Sequence, residues 1–171
     1  GDLSLTAEQQ TLLEKTYKGF TRNGANLSLN DKERLREIDK QLASLKLKFS
    51  ENVLSETQHY QWVITDKEQL CGLPDFVLEM LAQEAQKRQL KGWVITLDMP
   101  IYTAVMKYAD NRALRQKLFT DYHSRCAGES AFSNEANVLR IAELRQARAT
   151  LLGYPSYAAF ALEERMAETP E

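Results

Sequence analysis

The sequence predicts a mostly α fold: a helical hairpin, then a helical bundle, with a small two-stranded β-ribbon. Three observations carry that expectation. Apolar residues recur at steps of three and four along most of the chain. Capping residues precede these runs, and Gly or Asn-Gly closes them. The helical period is lost at only two places, Tyr60 to Thr65 and Trp93 to Leu97, where aromatic and β-branched residues cluster and each run contains Trp-Val-Ile-Thr.

The elements follow in order. Thr6 with Gln9 three residues on forms a capping box, and Leu12, Leu13, Tyr17 and Phe20 recur behind it at helical spacing. Asn23-Gly24 closes this helix. Asn30 is the expected cap of a second and longest helix, from Asp31 to about Leu54, in which Leu35, Ile38, Leu42, Leu45, Phe49 and Val53 form one stripe. The short link between the two predicts an antiparallel hairpin. The two strand-like runs have no other candidate partners, so they are paired as a ribbon. Between them, Gly72-Leu73-Pro74-Asp75 turns into a helix carrying Phe76, Val77, Met80, Leu81 and Ala85, ended by Lys91-Gly92.

Beyond Pro100 a short helix runs from Ile101 to Ala109. Asp110-Asn111 caps the next, with Leu114, Leu118, Phe119 and Tyr122 as its stripe. Asn134 opens a helix that Gly153 stops, and Pro155 stands near the start of the last one. Thr169-Pro170-Glu171 resembles the opening of a further helix, and Gly1 is read as a cloning scar or an internal cut; both fit a piece of something larger. With no linker or low-complexity stretch, residues 1–171 are read as one N-terminal helical domain.

Bulk properties narrow the function. The 171 residues are 43% hydrophobic and 27% charged, with seven Gly and four Pro, which is globular rather than disordered composition. A net charge of −2 with interleaved signs argues against a nucleic-acid partner and gives no reason for a membrane one. No apolar run approaches the roughly 18 residues of a membrane span, and the first ten residues lack the pattern of a signal peptide. Two cysteines make no disulfide framework, so the expected location is the cytoplasm.

Candidate chemistry is thin. His59 and His123 are the only histidines, and neither lies in a His-Glu-x-x-His pair, the spacing that puts two imidazoles one turn apart with a Glu as base. His123 and Cys126, with Cys71 and His59, would make a Cys₂His₂ set, but zinc sites of that kind need two close ligand pairs and only one exists here. No feature marks either Cys as a nucleophile. Glu33 with Glu37 and Glu163 with Glu164 are read as solvated helix faces. The aromatic residues Tyr17, Phe20, Phe119, Tyr122, Tyr154, Tyr157 and Phe160 are read as core. Arg112 and Arg115 have the chemistry to hold a peptide carboxylate, but ion pairing within or between helices is the expected role. No residue is assigned as catalytic, metal-binding or substrate-binding.

Several stretches together carry a resemblance. They are Leu13-Glu14-Lys15-Thr16-Tyr17-Lys18-Gly19-Phe20-Thr21-Arg22-Asn23-Gly24, Leu70-Cys71-Gly72-Leu73-Pro74, Asn111-Arg112-Ala113-Leu114-Arg115, Leu144-Arg145 through Leu151-Leu152-Gly153-Tyr154, and Arg165-Met166-Ala167. In this order they resemble the zinc oligopeptidases of the thimet oligopeptidase type, in the bacterial peptidyl-dipeptidase and oligopeptidase A branch. The resemblance implies a two-lobed helical peptidase with a channel for short peptides and a zinc site on a His-Glu-x-x-His helix C-terminal to the matched region. It therefore implies that this chain is a non-catalytic lobe, inactive and zinc-free alone, whose partner is the catalytic region of the same polypeptide. The alternative is a self-standing helical interaction module that docks through the long amphipathic helix.

Overall fold

The computed structural model describes residues 4–171. Gly1 lies outside the described residues. These contain seven α-helices and one two-stranded antiparallel sheet: α1 (Ala7–Arg22), α2 (Leu29–His59), β1 (Trp62–Ile64), α3 (Asp75–Lys87), β2 (Trp93–Ile95), α4 (Met99–Tyr108), α5 (Arg112–His123), α6 (Glu135–Leu151) and α7 (Tyr157–Leu162). A short 3₁₀ turn, Lys67–Leu70, precedes α3. No helix among the described residues is long and apolar enough to cross a membrane.

Within the span read as one domain, the backbone groups into two compact units. One comprises residues through Leu47 together with Asn137–Glu171; the other is Lys48–Ala136. In chain order, α2 begins in the first and ends in the second, and α6 begins in the second and ends in the first.

In the second unit the ribbon is as expected, though each strand is shorter. Trp62 pairs with Ile95, Val63 with Val94 and Ile64 with Trp93. The inserted helix α3 lies against β2. Val77, Leu81 and Ala85 form its buried face, at steps of four. Leu81 shares one contiguous core with Ile95, Leu97, Val105 and Leu118. Each fully buried aliphatic side chain of this set contributes about 1.5–3 kcal/mol. Pro100 sits in the first turn of α4, where its missing N–H costs nothing. Asn111 caps α5, its side chain accepting from the Leu114 N–H at 3.2 Å.

In the first unit, the capping box of α1 is present: Thr6 Oγ1 accepts from Gln9 N–H and Gln9 Oε1 accepts from Thr6 N–H. The small core is Leu42, Ile141 and Leu144, flanked by Ile38 and Leu45.

Several expectations need correction. Ser28 supplies the side-chain cap of α2, accepting from Asp31 N–H at 3.2 Å, and the helix starts at Leu29. Ser28 competes better because it stands one residue outside the helix, whereas Asn30 is already inside it. The helix runs on to His59, past Leu54. The apolar row of α1 is not buried: Leu12 is 68% exposed and Phe20 66%, with Leu13 and Tyr17 similar. Phe119 is also exposed, so Tyr17, Phe20 and Phe119 are not core residues, and neither is Phe76. Helical spacing shows that one face is apolar but not that anything covers it. α3 stops at Lys87 rather than at Lys91-Gly92. Thr169 to Glu171 are not helical.

Candidate functional site

The most connected polar cluster of the first unit forms around Arg22, the last residue of α1. Its Nη2 donates to the Phe160 carbonyl at 2.8 Å and its Nη1 donates to the Tyr154 hydroxyl at 3.2 Å and to Glu163. Its guanidinium lies 4.2 Å from the Phe160 ring centroid. Tyr154 in turn donates to Glu163 Oε2 at 2.7 Å. Lys18, one turn before Arg22, pairs with both Glu163 and Glu164. The two acids read as a solvated pair therefore anchor the start of the chain to its end.

The electrostatics follow from the geometry. Burial pushes the Tyr154 hydroxyl up, and its bond to the Glu163 carboxylate adds to that. Burial alone would raise Glu163 too, but the donors Tyr154 and Arg22 and the charge of Lys18 outweigh it and hold the carboxyl below its ordinary value. Glu164, hydrogen-bonded to Lys18, is also held low.

A second cluster ties two parts of the other unit. The Asp110 N–H donates to the Cys71 carbonyl at 2.9 Å. Gly72 has φ +87°, and a Cβ there would stand 2.5 Å from the Tyr108 carbonyl oxygen and 2.8 Å from Asp110 N. The adjacent Arg115 does not form the expected ion pair. Its Nη1 donates to the carbonyls of Ala109 and Asp110, because the end of α4 leaves those acceptors open within reach. Arg112 is exposed beside a shallow cavity it shares with Arg115 and Phe119.

The histidines and cysteines form no ligand group of three among the described residues. His59 Nδ1 lies 2.7 Å from the Ser55 carbonyl and His123 Nδ1 2.9 Å from the Phe119 carbonyl, each one turn back on its own helix. α5 stops at His123 and Cys126 has φ +59°, so the helical face that would align them ends first. Cys71 is exposed and Cys126 buried. Burial pushes the Cys126 thiol up to about 11, with the nearby Glu56 carboxylate adding to the shift, so it resists forming the thiolate that binds metal. Among the described residues no three His, Cys, Asp or Glu side chains could together hold a metal ion. The donor set among the described residues does not fit zinc.

Glu56 has a different role. Its Oε2 accepts from the Cys126 N–H at 2.6 Å and from Ser130 Oγ at 2.9 Å, fixing the loop after α5. Beside it, Asn52 Nδ2 donates to Asn134 Oδ1 at 2.9 Å, and Asn134 Nδ2 donates to the Phe49 carbonyl at 3.1 Å. Tyr60 donates to Asp121 at 2.5 Å; burial and that carboxylate both raise its hydroxyl.

These clusters join the stretches that carried the resemblance. Arg22, Tyr154 and Glu163 come from the first stretch, the fourth and the segment before the last; Cys71-Gly72 meets the segment opening the third. Comparison with known proteins agrees. Residues 105–171 match a model of Peptidase family M3. A probable cytosolic oligopeptidase A of Arabidopsis thaliana is 37% identical over 96% of this chain. Residues 105–171 thus resemble peptidase family M3. Oligopeptidase A of Escherichia coli is 31% identical over 98% of the chain, and dipeptidyl carboxypeptidase of the same bacterium 31% over 99%. The chain spans about a quarter of the length of these M3 relatives: 24% of the plant protein and 25% of each bacterial one.

Neither the hub role of Arg22 nor the loop-fixing role of Glu56 is visible in helical periodicity, since both act between residues far apart in sequence. The only signal for Arg22 was its place in the Thr21-Arg22-Asn23-Gly24 stretch.

Proposed function

We propose that this chain is a non-catalytic N-terminal lobe of a zinc-dependent M3 oligopeptidase or peptidyl-dipeptidase. In this reading it forms part of the wall of a channel that admits short peptides, and it works in the cytoplasm. The supporting observation is the near end-to-end match to peptidases about four times its length. The exposed apolar row of α1 fits a segment whose partner is the rest of the polypeptide. The zinc would be held there, where it would polarise the scissile carbonyl and activate water. No residue of this chain takes part in that step; its contribution is shape, set by the two clusters above.

The test has two arms. The purified 171-residue chain should retain no stoichiometric zinc by elemental analysis and should not turn over a fluorogenic peptide. Metal-dependent turnover would sink the proposal. The natural reading frame should continue into a His-Glu-x-x-His; a frame that ends near Glu171 would instead favour a self-standing interaction module.

A further inference from the structure

Segments of α2, α6 and α7 within the first unit line a cavity of about 460 Å³ that the proposed function does not use. α2 brings Asp39 and Lys46, α6 brings Arg145 and Arg148, and α7 brings Tyr157 and Phe160. The spacing is seven residues on α2 and three on α6 and α7, so each helix turns a single face inward. The volume is that of a small-molecule site.

Two arginines, Arg145 and Arg148, line the cavity with one carboxylate, Asp39. Arg148 Nε donates to Asp39 Oδ1 at 2.8 Å, so those two neutralise each other. Arg145 has no carboxylate partner among the described residues. It lies 5.2 Å from the Tyr157 ring centroid, and Arg148 lies 5.1 Å from that of Phe160. An aromatic ring under a guanidinium holds its plane, so the N–H edge stays oriented without a bound partner. A half-enclosed cavity concentrates the field of such charges.

We propose that this cavity binds a small oxyanion, a phosphate or a dicarboxylate, with Arg145 as the principal ligand. Arg148 is held in reserve by Asp39, which limits affinity. The anion lies on its guanidinium edges, and the rings of Tyr157 and Phe160 back them.

Isothermal titration of the chain with inorganic phosphate, and separately with succinate, tests this and separates the two anion types. At least one should bind, and binding should weaken as salt rises. Arg145→Gln should weaken it about tenfold, the loss of one charge-assisted contact. Asp39→Asn should tighten it several-fold by releasing Arg148. Asp39 is half exposed, so this variant should keep the parent circular dichroism. If Arg145→Gln fails to fold, the Asp39→Asn result decides. No binding of either anion, or affinity that Asp39→Asn leaves unchanged or lowers, overturns the proposal.

Discussion

Gly72→Ala tests whether the contact between Cys71-Gly72 and Asp110 holds the second unit together. Two costs combine. The first is conformational: at φ +87° an L residue pays about 1–2 kcal/mol. The second is steric: the new methyl would meet the Tyr108 carbonyl oxygen at 2.5 Å and Asp110 N at 2.8 Å, and both are backbone atoms that cannot rotate away. Forcing them apart costs about 1–3 kcal/mol, and loosens the Asp110 N–H bond to Cys71. Gly128 provides the control within the same unit. It has φ +62° and nothing within 4 Å of its Cβ position, so Gly128→Ala pays the first cost only. Trp62 and Trp93, the chain's two tryptophans, both sit on the ribbon, so their fluorescence in a urea titration reports this unit. Gly72→Ala should exceed Gly128→Ala by roughly 1–3 kcal/mol. Equal losses would refute the steric argument.

Three other predictions follow from the same structure. Leu81→Ala removes a side chain with no exposure from the centre of the core and should cost about 2–5 kcal/mol in the same urea assay. Asn52→Ala leaves Asn134, 3% exposed, short of one partner and should cost about 1–3 kcal/mol, with a double-mutant cycle showing coupling to Asn134→Ala. Glu163 has a folded value below its unfolded one, so the stability it contributes is complete above the unfolded carboxylate range and is lost as pH falls through the folded value. Glu163→Gln should therefore lower the melting temperature by circular dichroism at pH 7 and flatten its decline in acid. A variant with the parent's acid decline would count against the Arg22 cluster.

Local rules account for much of the fold. The Thr6 capping box, the Asn111 cap and the two strands are set by neighbours within a few residues, and their chemistry is visible as spacing. The loss of the α2 cap to Ser28 is a two-residue error of the same local kind. The exposed rows of α1 and Phe119 are a different failure: periodicity identifies an apolar face but carries no information on what lies against it. The cavity was hidden for a related reason. Asp39 lies far in sequence from Arg145 and Tyr157, and each alone reads as a surface or core residue.

The sequence by itself determined that the chain is helical, where most of its helices begin, which two segments pair as strands and which peptidase family it resembles. Each follows from local backbone preference or from the order of short motifs. Only the tertiary structure decided what those motifs do: Arg22 gathers Tyr154, Phe160 and Glu163, and Gly72 admits Asp110. Such contacts form between residues more than thirty positions apart, where their energy depends on distance in space and leaves no period in the chain.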